Sequence, residues 1–259
     1  METLKAPLYH QLMGLYHTLI ADQGLADEGR WPSDMLPLER EARRRLFWHM
    51  YRLEVHTALI IGHTIRCPEI QIAVEYPSDP VFDLQSTNSD LEWLTGWNFV
   101  TDLYRGLEHL LVHFRSRRTN AANAQKMQFV VSHTLTDESR AALLTSLEII
   151  HEALPRRFKE PAEMSGDIDR NRCVYQTANI ICTYQLLKLL SYASGNVTFH
   201  DACQTVLQLV ESISAIPNAF LRSMSLAMVQ ELSGFGHILG SFIGKPLTVD
   251  NYQQLKAVM

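Results

Sequence analysis

A chain of 259 residues with 46% hydrophobic and 20% charged residues has the composition of a globular protein long enough to bury a substantial core, which excludes disorder. Its formal charge of -5 argues against a broad nucleic-acid-binding face, because phosphate contacts need clustered Lys and Arg, and the two basic runs, Arg115 to Arg118 and Arg156 to Lys159, are short. Cys67, Cys173, Cys182 and Cys203 show no paired spacing, so neither a compact zinc cluster nor a disulfide framework is expected; with no run approaching the ~20 apolar residues of a membrane span, a soluble intracellular protein with buried free thiols is expected.

In chain order, Leu8, Leu12, Leu15, Tyr16 and Leu19 predict a helix over Pro7 to Ala21, ended near Gly24. The stretch from Leu38 to Pro77 follows. Pro37 closes a loop, and Glu39 and Glu41 sit where carboxylates meet the positive end of a helix dipole. Phe47, Met50, Tyr51, Glu54, Ala58 and Ile61 recur at three- and four-residue spacing and share one face, apolar except at Glu54. Arg40, Arg43 and Arg44 are expected on the flank, within reach of Glu39 and Glu41 for surface pairs of at most about 0.5 kcal/mol each. Gly62 ends this helix, and Pro68 and Pro77 bracket an extended strap carrying Ile70, Ile72 and Val74.

A polar, turn-rich segment from Ser78 to Ser89 precedes a helix over Leu91 to Phe114, with Phe99, Leu103, Leu107, Leu110, Leu111 and Phe114 inside and Gly106 as a weak point. Arg115 to Gln125 reads as loop. Thr136 opens the next helix, with Leu143, Leu147, Ile150 and Leu154 inside, and Pro155 stops it. Residues Arg156 to Asn171 form the best internal loop and the one plausible domain boundary. The helix over Cys173 to Tyr192 is apolar almost all round, as expected at the centre of a bundle. Thr198, with Asp201 three residues on, caps a helix running to Pro217. A last helix over Ala219 to Ile243 carries the small residues Ser233, Gly236 and Gly240. The expected fold is all-α, an irregular multi-helix bundle with one extended strap, as a single domain over residues 1–259.

The run Glu41, Arg43, Arg44, Arg45, Leu46, Phe47, Trp48, then Glu54, Gly62 and Pro77, resembles the fungal-specific transcription factor domain, the middle homology region of fungal zinc-cluster regulators. Gln176 to Tyr184, Ala202-Cys203, Ile216-Pro217 and Gly234 to Leu239 are similar to later family features in the same order. Two residues depart from the pattern: Glu54 stands where the family usually has aspartate, and His63-Thr64 stands in place of Arg-Pro. The resemblance implies a transcription regulator located in the nucleus, with control of a metabolic or secondary-metabolite gene set. Family members place helices before the first one here, so Met1 is expected to begin inside the fold. They bind DNA through six closely spaced cysteines that hold two zinc ions and set a helix in the major groove. This chain has no such set, so direct sequence-specific DNA binding by it alone is not expected. A protein partner is, either a full-length zinc-cluster regulator or a second copy. The alternative is a stand-alone small-molecule-sensing or co-regulator module without DNA binding, or a degenerate truncated paralogue.

No Ser-His-Asp or Cys-His set assembles from local motifs, and no Asp-Asp-x-x-Asp is present to hold magnesium against a diphosphate, so no enzyme activity, cofactor or metal is expected. Asp102, His109 and His113 share a helix without a second ligand cluster to meet them and read as a solvated face. Asp167 and Asp169 read as loop. Two residues are candidates for a site. Glu54, a carboxylate on an apolar face, either accepts hydrogen bonds from an arginine or backbone amides or lines a ligand pocket. His237 divides the same way, between an interhelical hydrogen bond and a pocket.

Overall fold

The computed structural model describes residues 5–78, 88–122, 136–193, 199–222 and 256. These are all helical in architecture: α1 (Lys5–Gln23), α2 (Pro37–Ile61), α3 (Asn88–Ala122), α4 (Asp137–Ala153), α5 (Ile168–Ala193), α6 (Phe199–Ser214) and α7 (Asn218–Arg222). Among the described residues there is no strand, only one isolated parallel bridge between Asp27 and Ala73. The chain divides into two compact units, Met1–Leu94 and Thr95–Met259.

In the first unit α1 packs on α2. Gly24, at φ 61°, ends α1 in a left-handed turn that a side chain resists, and Trp31 folds back to donate its indole N–H to the Gly24 carbonyl at 3.0 Å. Pro37 is the first residue of α2 rather than the last of the loop, because its missing N–H costs nothing there. Gly62, at φ 82°, caps the other end. Buried on α2 are Phe47, Trp48, Tyr51, Glu54, Val55 and Ala58, so the expected face is rotated: Met50 is half-buried and Ile61 is exposed. The same rotation applies to α1, where Met13 and Tyr16 are buried while Leu12 and Leu15 are 48% and 57% exposed; the side chain of Leu8 lies outside the described residues.

Residues 62–78 form the strap, extended apart from a single 3-10 turn at Glu69–Gln71. It runs back along α2, and polar contacts hold it there. Glu54 Oε1 accepts the Arg66 N–H at 2.7 Å, Trp48 Nε1 donates to the Glu75 carbonyl at 2.9 Å, and Glu41 Oε2 accepts the Ser78 N–H at 3.3 Å. Glu28, in the 3-10 turn Glu28–Arg30, ties both segments to α2. The Arg44 guanidinium donates Nε to Glu28 Oε1 at 2.7 Å and Nη2 to Oε2 at 2.8 Å, the forked geometry that suits a carboxylate, and reaches Glu75 Oε2 at 2.8 Å. Glu28 Oε1 also accepts the Glu75 N–H at 2.8 Å. Arg40 and Arg44 therefore pair with Glu28 and not, as expected, with the acids of their own helix; Arg43 does so with Glu39 and Arg45 with Glu41. The difference is energetic as well as topological. Arg44 and Glu28 are 13% and 14% exposed, where a paired charge is worth more than on an open surface.

In the second unit α3 runs to Ala122, past the Phe114 end and through part of the Arg115 to Gln125 stretch read as loop. Arg and Ala are strong helix formers, and no Pro or Gly interrupts them before that point. Its buried side is Phe99, Val100, Leu103, Tyr104, Leu107 and Leu110, with Leu111 and Phe114 only half-buried. Gly106 is a close approach rather than a weak point: a Cβ there would lie 2.7 Å from Leu187 Cδ1 and 3.1 Å from Leu147 Cδ1. At Gly96 a Cβ would meet Gln176 Oε1 at 2.6 Å and the Phe158 ring at 2.7 Å. Thr136 caps α4 by accepting the Ser139 N–H at 3.1 Å, and the helix stops before Pro155, as expected; Ile150, however, is exposed. Asp167 begins α5, its Oδ1 accepting the N–H groups of Asp169 and Arg170 at 2.9 and 3.2 Å. Residues Val174, Ile180, Leu186, Leu187 and Leu189 of α5 are buried, and α6 packs along it. Thr198 and the chain beyond Arg222 to Ile243, with His237 in it, lie outside the described residues.

The Glu28 cluster makes the first unit acid-sensitive. Burial works to raise the Glu28 pKa, but hydrogen bonds from Arg44, the Glu75 N–H and Arg40, with the Arg44 charge, outweigh it and hold the carboxyl below its ordinary value of 4.5. A carboxyl depressed in the folded state adds stability that is fully present above its unfolded pKa and is lost as pH falls through the folded one. Glu28→Gln should lower stability by about 2 kcal/mol at pH 7, and its difference from the unaltered chain should narrow below about pH 4.5. Urea unfolding at pH 7 and at pH 4, followed by tryptophan fluorescence, reads both effects.

A polar pocket around Glu54

Glu54 is placed by the middle of α2, one turn beyond Tyr51, on the side that meets α1 and the start of the strap. Its burial is nearly complete, at 2% exposure. Oε1 is fully used: it accepts the Arg66 N–H at 2.7 Å, and His17 Nε2 lies 2.8 Å away. The tautomer of His17 follows from its other nitrogen. Arg66 Nη1 stands 3.4 Å from His17 Nδ1, and a guanidinium only donates, so Nδ1 accepts and Nε2 carries the proton offered to Glu54. Glu54 Oε2 has no hydrogen-bond partner.

The Glu54 side chain lines a pocket of about 260 Å³, while Oε2 itself is buried. Burial orders the lining. Glu54, Thr57 and Met13 are buried and form the floor; Gly14, His10, His63, Thr64 and Arg66 are exposed and form the rim; His17 stands between. His10 and His63 stack with ring centroids 4.9 Å apart at 16° and bring their Nε2 atoms to 3.2 Å, one donating and one accepting. Thr57 Oγ1 donates to the Leu53 carbonyl at 2.6 Å, so it presents lone pairs elsewhere. Beside the pocket Tyr16 is buried with its hydroxyl unpartnered, and burial, with Cys67 and Glu54 nearby, raises its pKa far above the ordinary tyrosine range. This phenol stays neutral.

Of the two sequence candidates, Glu54 lies here and His237 lies outside the described residues. Glu54 Oε1 accepts the strap's Arg66 N–H, and the side chain also lines the pocket. Sequence reasoning missed His10, His17, His63 and Arg66. A signal existed for two of them: His10, Gly14 and His17 follow the four- and three-residue steps of one helical face. His109 is exposed and His113 buried, and Asp102 accepts from Arg105 at 3.1 Å. No group of three or more His, Cys, Asp or Glu among the described residues is arranged to hold a metal ion. The four cysteines are free and buried.

A wider cleft of about 470 Å³ lies in the second unit, among α4, α5 and α6. Its cations are already engaged. Lys159 Nζ donates to the Glu152 carbonyl at 2.7 Å, and Lys188 Nζ stands 4.5 Å over the Tyr184 ring, which stacks on His151 at 4.8 Å. Burial lowers the His151 pKa, so this imidazole is held neutral. No helix among the described residues is long and apolar enough to cross a membrane.

The family model described as the fungal specific transcription factor domain matches residues 6–155. No match was found among curated proteins or among solved structures.

If Oε1 is what holds the strap, the acceptor matters more than the charge. Glu54→Ala should lower stability by about 2 kcal/mol, because two donors lose their partner, whereas Glu54→Gln, which keeps an oxygen in place, should cost less than about 1 kcal/mol. Chemical denaturation of the two variants side by side separates the cases; equal losses would count against this account.

Proposed function

This chain belongs to the fungal specific transcription factor domain family, and from that membership we propose that it is a nuclear regulatory module acting on transcription through a protein partner. The membership implies a role in regulating transcription, in a family that is typically non-enzymatic. The finer reading is that the partner is a full-length zinc-cluster regulator or a second copy of this chain, and that the genes under control are a metabolic or secondary-metabolite set. The observation that carries it is the match over residues 6–155, which spans α1 to α4. Leu12 and Leu15, exposed side by side on α1, support the partner.

A second reading is favoured by the pocket around Glu54: the module senses a small molecule, and occupancy of the pocket changes how it meets its partner. A buried carboxylate oxygen without a partner is the observation behind it.

Deletion of the gene followed by transcript profiling tests the regulatory role. A defined set of transcripts should change, and an unchanged profile would favour a degenerate product. DNA contact is tested separately. With four widely separated cysteines and a net charge of -5, the purified chain should give no sequence-selective shift of DNA in a gel titration at physiological salt; nanomolar selective binding would overturn the proposal that it works through a partner.

A further inference from the structure

The rim of the first unit's pocket brings together two imidazoles from segments far apart in the chain. His10 belongs to the first half of α1 and His63 follows the left-handed turn at Gly62, 53 positions on. Their rings lie within 16° of parallel, and the two Nε2 atoms share a hydrogen bond at 3.2 Å. Two imidazole nitrogens bound to one ion at ~2.0–2.1 Å, with the tetrahedral angle between them, stand about 3.3 Å apart. The folded chain therefore holds this pair at the separation that chelation requires.

Both rings are exposed, so an ion reaches them from solvent and water can take the remaining coordination positions. One Nε2 now carries the shared proton. For both lone pairs to meet an ion, that ring moves its proton to Nδ1 and becomes the other neutral tautomer, with no proton lost. Imidazole ligands suit late first-row ions such as zinc, whereas magnesium and calcium take oxygen. His17, on the same pocket, is engaged elsewhere: Nε2 with Glu54 Oε1 at 2.8 Å, and Nδ1 with Arg66 Nη1 at 3.4 Å. No third His, Cys, Asp or Glu joins the pair among the described residues, so the site is an open, reversible one and not a closed structural centre. We propose that His10 and His63 form a two-imidazole site for a zinc-type divalent ion, completed by water, which ties α1 to the chain leaving α2. This gives the sensing reading a ligand and rests on that reading for its role in the cell, but the binding is a property of the purified protein.

The test is isothermal titration of the full chain at pH 7.5 with zinc chloride, against magnesium and calcium chlorides. Zinc should bind saturably, and the other two ions should not. His10→Ala and His63→Ala should each weaken zinc at least about tenfold, whereas His200→Ala, exposed on α6, should bind it as the unaltered chain does. Both replaced rings are exposed, so the variants should keep the circular dichroism of the unaltered chain. A second readout is stability: zinc should raise the urea midpoint of the unaltered chain, because the bridged segments meet only when folded, and should not raise it in His10→Ala. Absence of saturable zinc binding, or zinc binding of undiminished affinity in the doubly replaced chain, would overturn the assignment. A chain that binds zinc through this pair, yet whose dependent transcripts are unchanged by the two replacements, would keep the site and lose the sensing reading.

Discussion

A helix that turns ionisable side chains toward the rest of the protein has to find a partner for each, and on α2 these include Glu41, Arg44 and Glu54. An unpaired charge in such a position costs several kcal/mol, so the partners are not optional and their placement dictates the path of the chain around the helix. All three are met by the strap or by the turn it pairs with. Ser78 serves Glu41, Glu28 and Glu75 serve Arg44, and the Arg66 N–H serves Glu54. Because these contacts occur at falling positions on α2 as the strap advances, they specify its direction and register without any sheet. Trp48, donating to the Glu75 carbonyl and meeting Tyr76 edge-on at 4.9 Å, locks the same alignment with apolar surface.

The second unit is fixed by a different constraint, the room left between helices. Phe158 is completely buried and lies where Gly96 leaves no side chain, and Leu187 occupies the space opened by Gly106. Replacing either glycine gains helix propensity of ~1 kcal/mol but forces a buried ring or leucine to move, which costs typically 1–3 kcal/mol in a packed core. Packing wins. A glycine that looks like a flaw in a helix is here the reason two helices can approach.

The distinction explains what was legible beforehand. Periodicity and end signals depend on neighbours in sequence, and they gave the all-helical class, the Gly62 and Thr136 caps and the Pro155 stop. They also singled out Glu54, because a carboxylate on an apolar face is visible without a structure. They failed where tertiary contacts decide. Glu28 is sixteen positions from Arg44 in an irregular turn, so nothing local marks it as the partner. On α1 and α2 the apolar residues are spread over more than one face, and only the packing shows that Tyr16 and Val55 are inside while Leu15 and Leu46 are out. The basic stretch after Phe114 reads as loop from its polarity, yet α3 continues to Ala122, where Arg and Ala favour helix and no Pro or Gly intervenes.

The pocket illustrates how a departure from a pattern acquires meaning only in three dimensions. In the sequence, Glu54 in place of aspartate and His63-Thr64 in place of Arg-Pro are unrelated differences, separated by a helix end. In the structure all three residues line one cavity. The left-handed turn at Gly62 sends the chain off α2 and back past Glu54, which brings residues 63, 64 and 66 to the rim. An arginine directly after the glycine would add a cation to this wall; here an imidazole stands there, engaged with His10. The longer acid meanwhile meets the Arg66 N–H and His17 with one oxygen and keeps the other unpaired. The two positions therefore bear on one wall, where Oε1 reaches the strap and α1 while Oε2 stays buried without a hydrogen bond, its desolvation uncompensated.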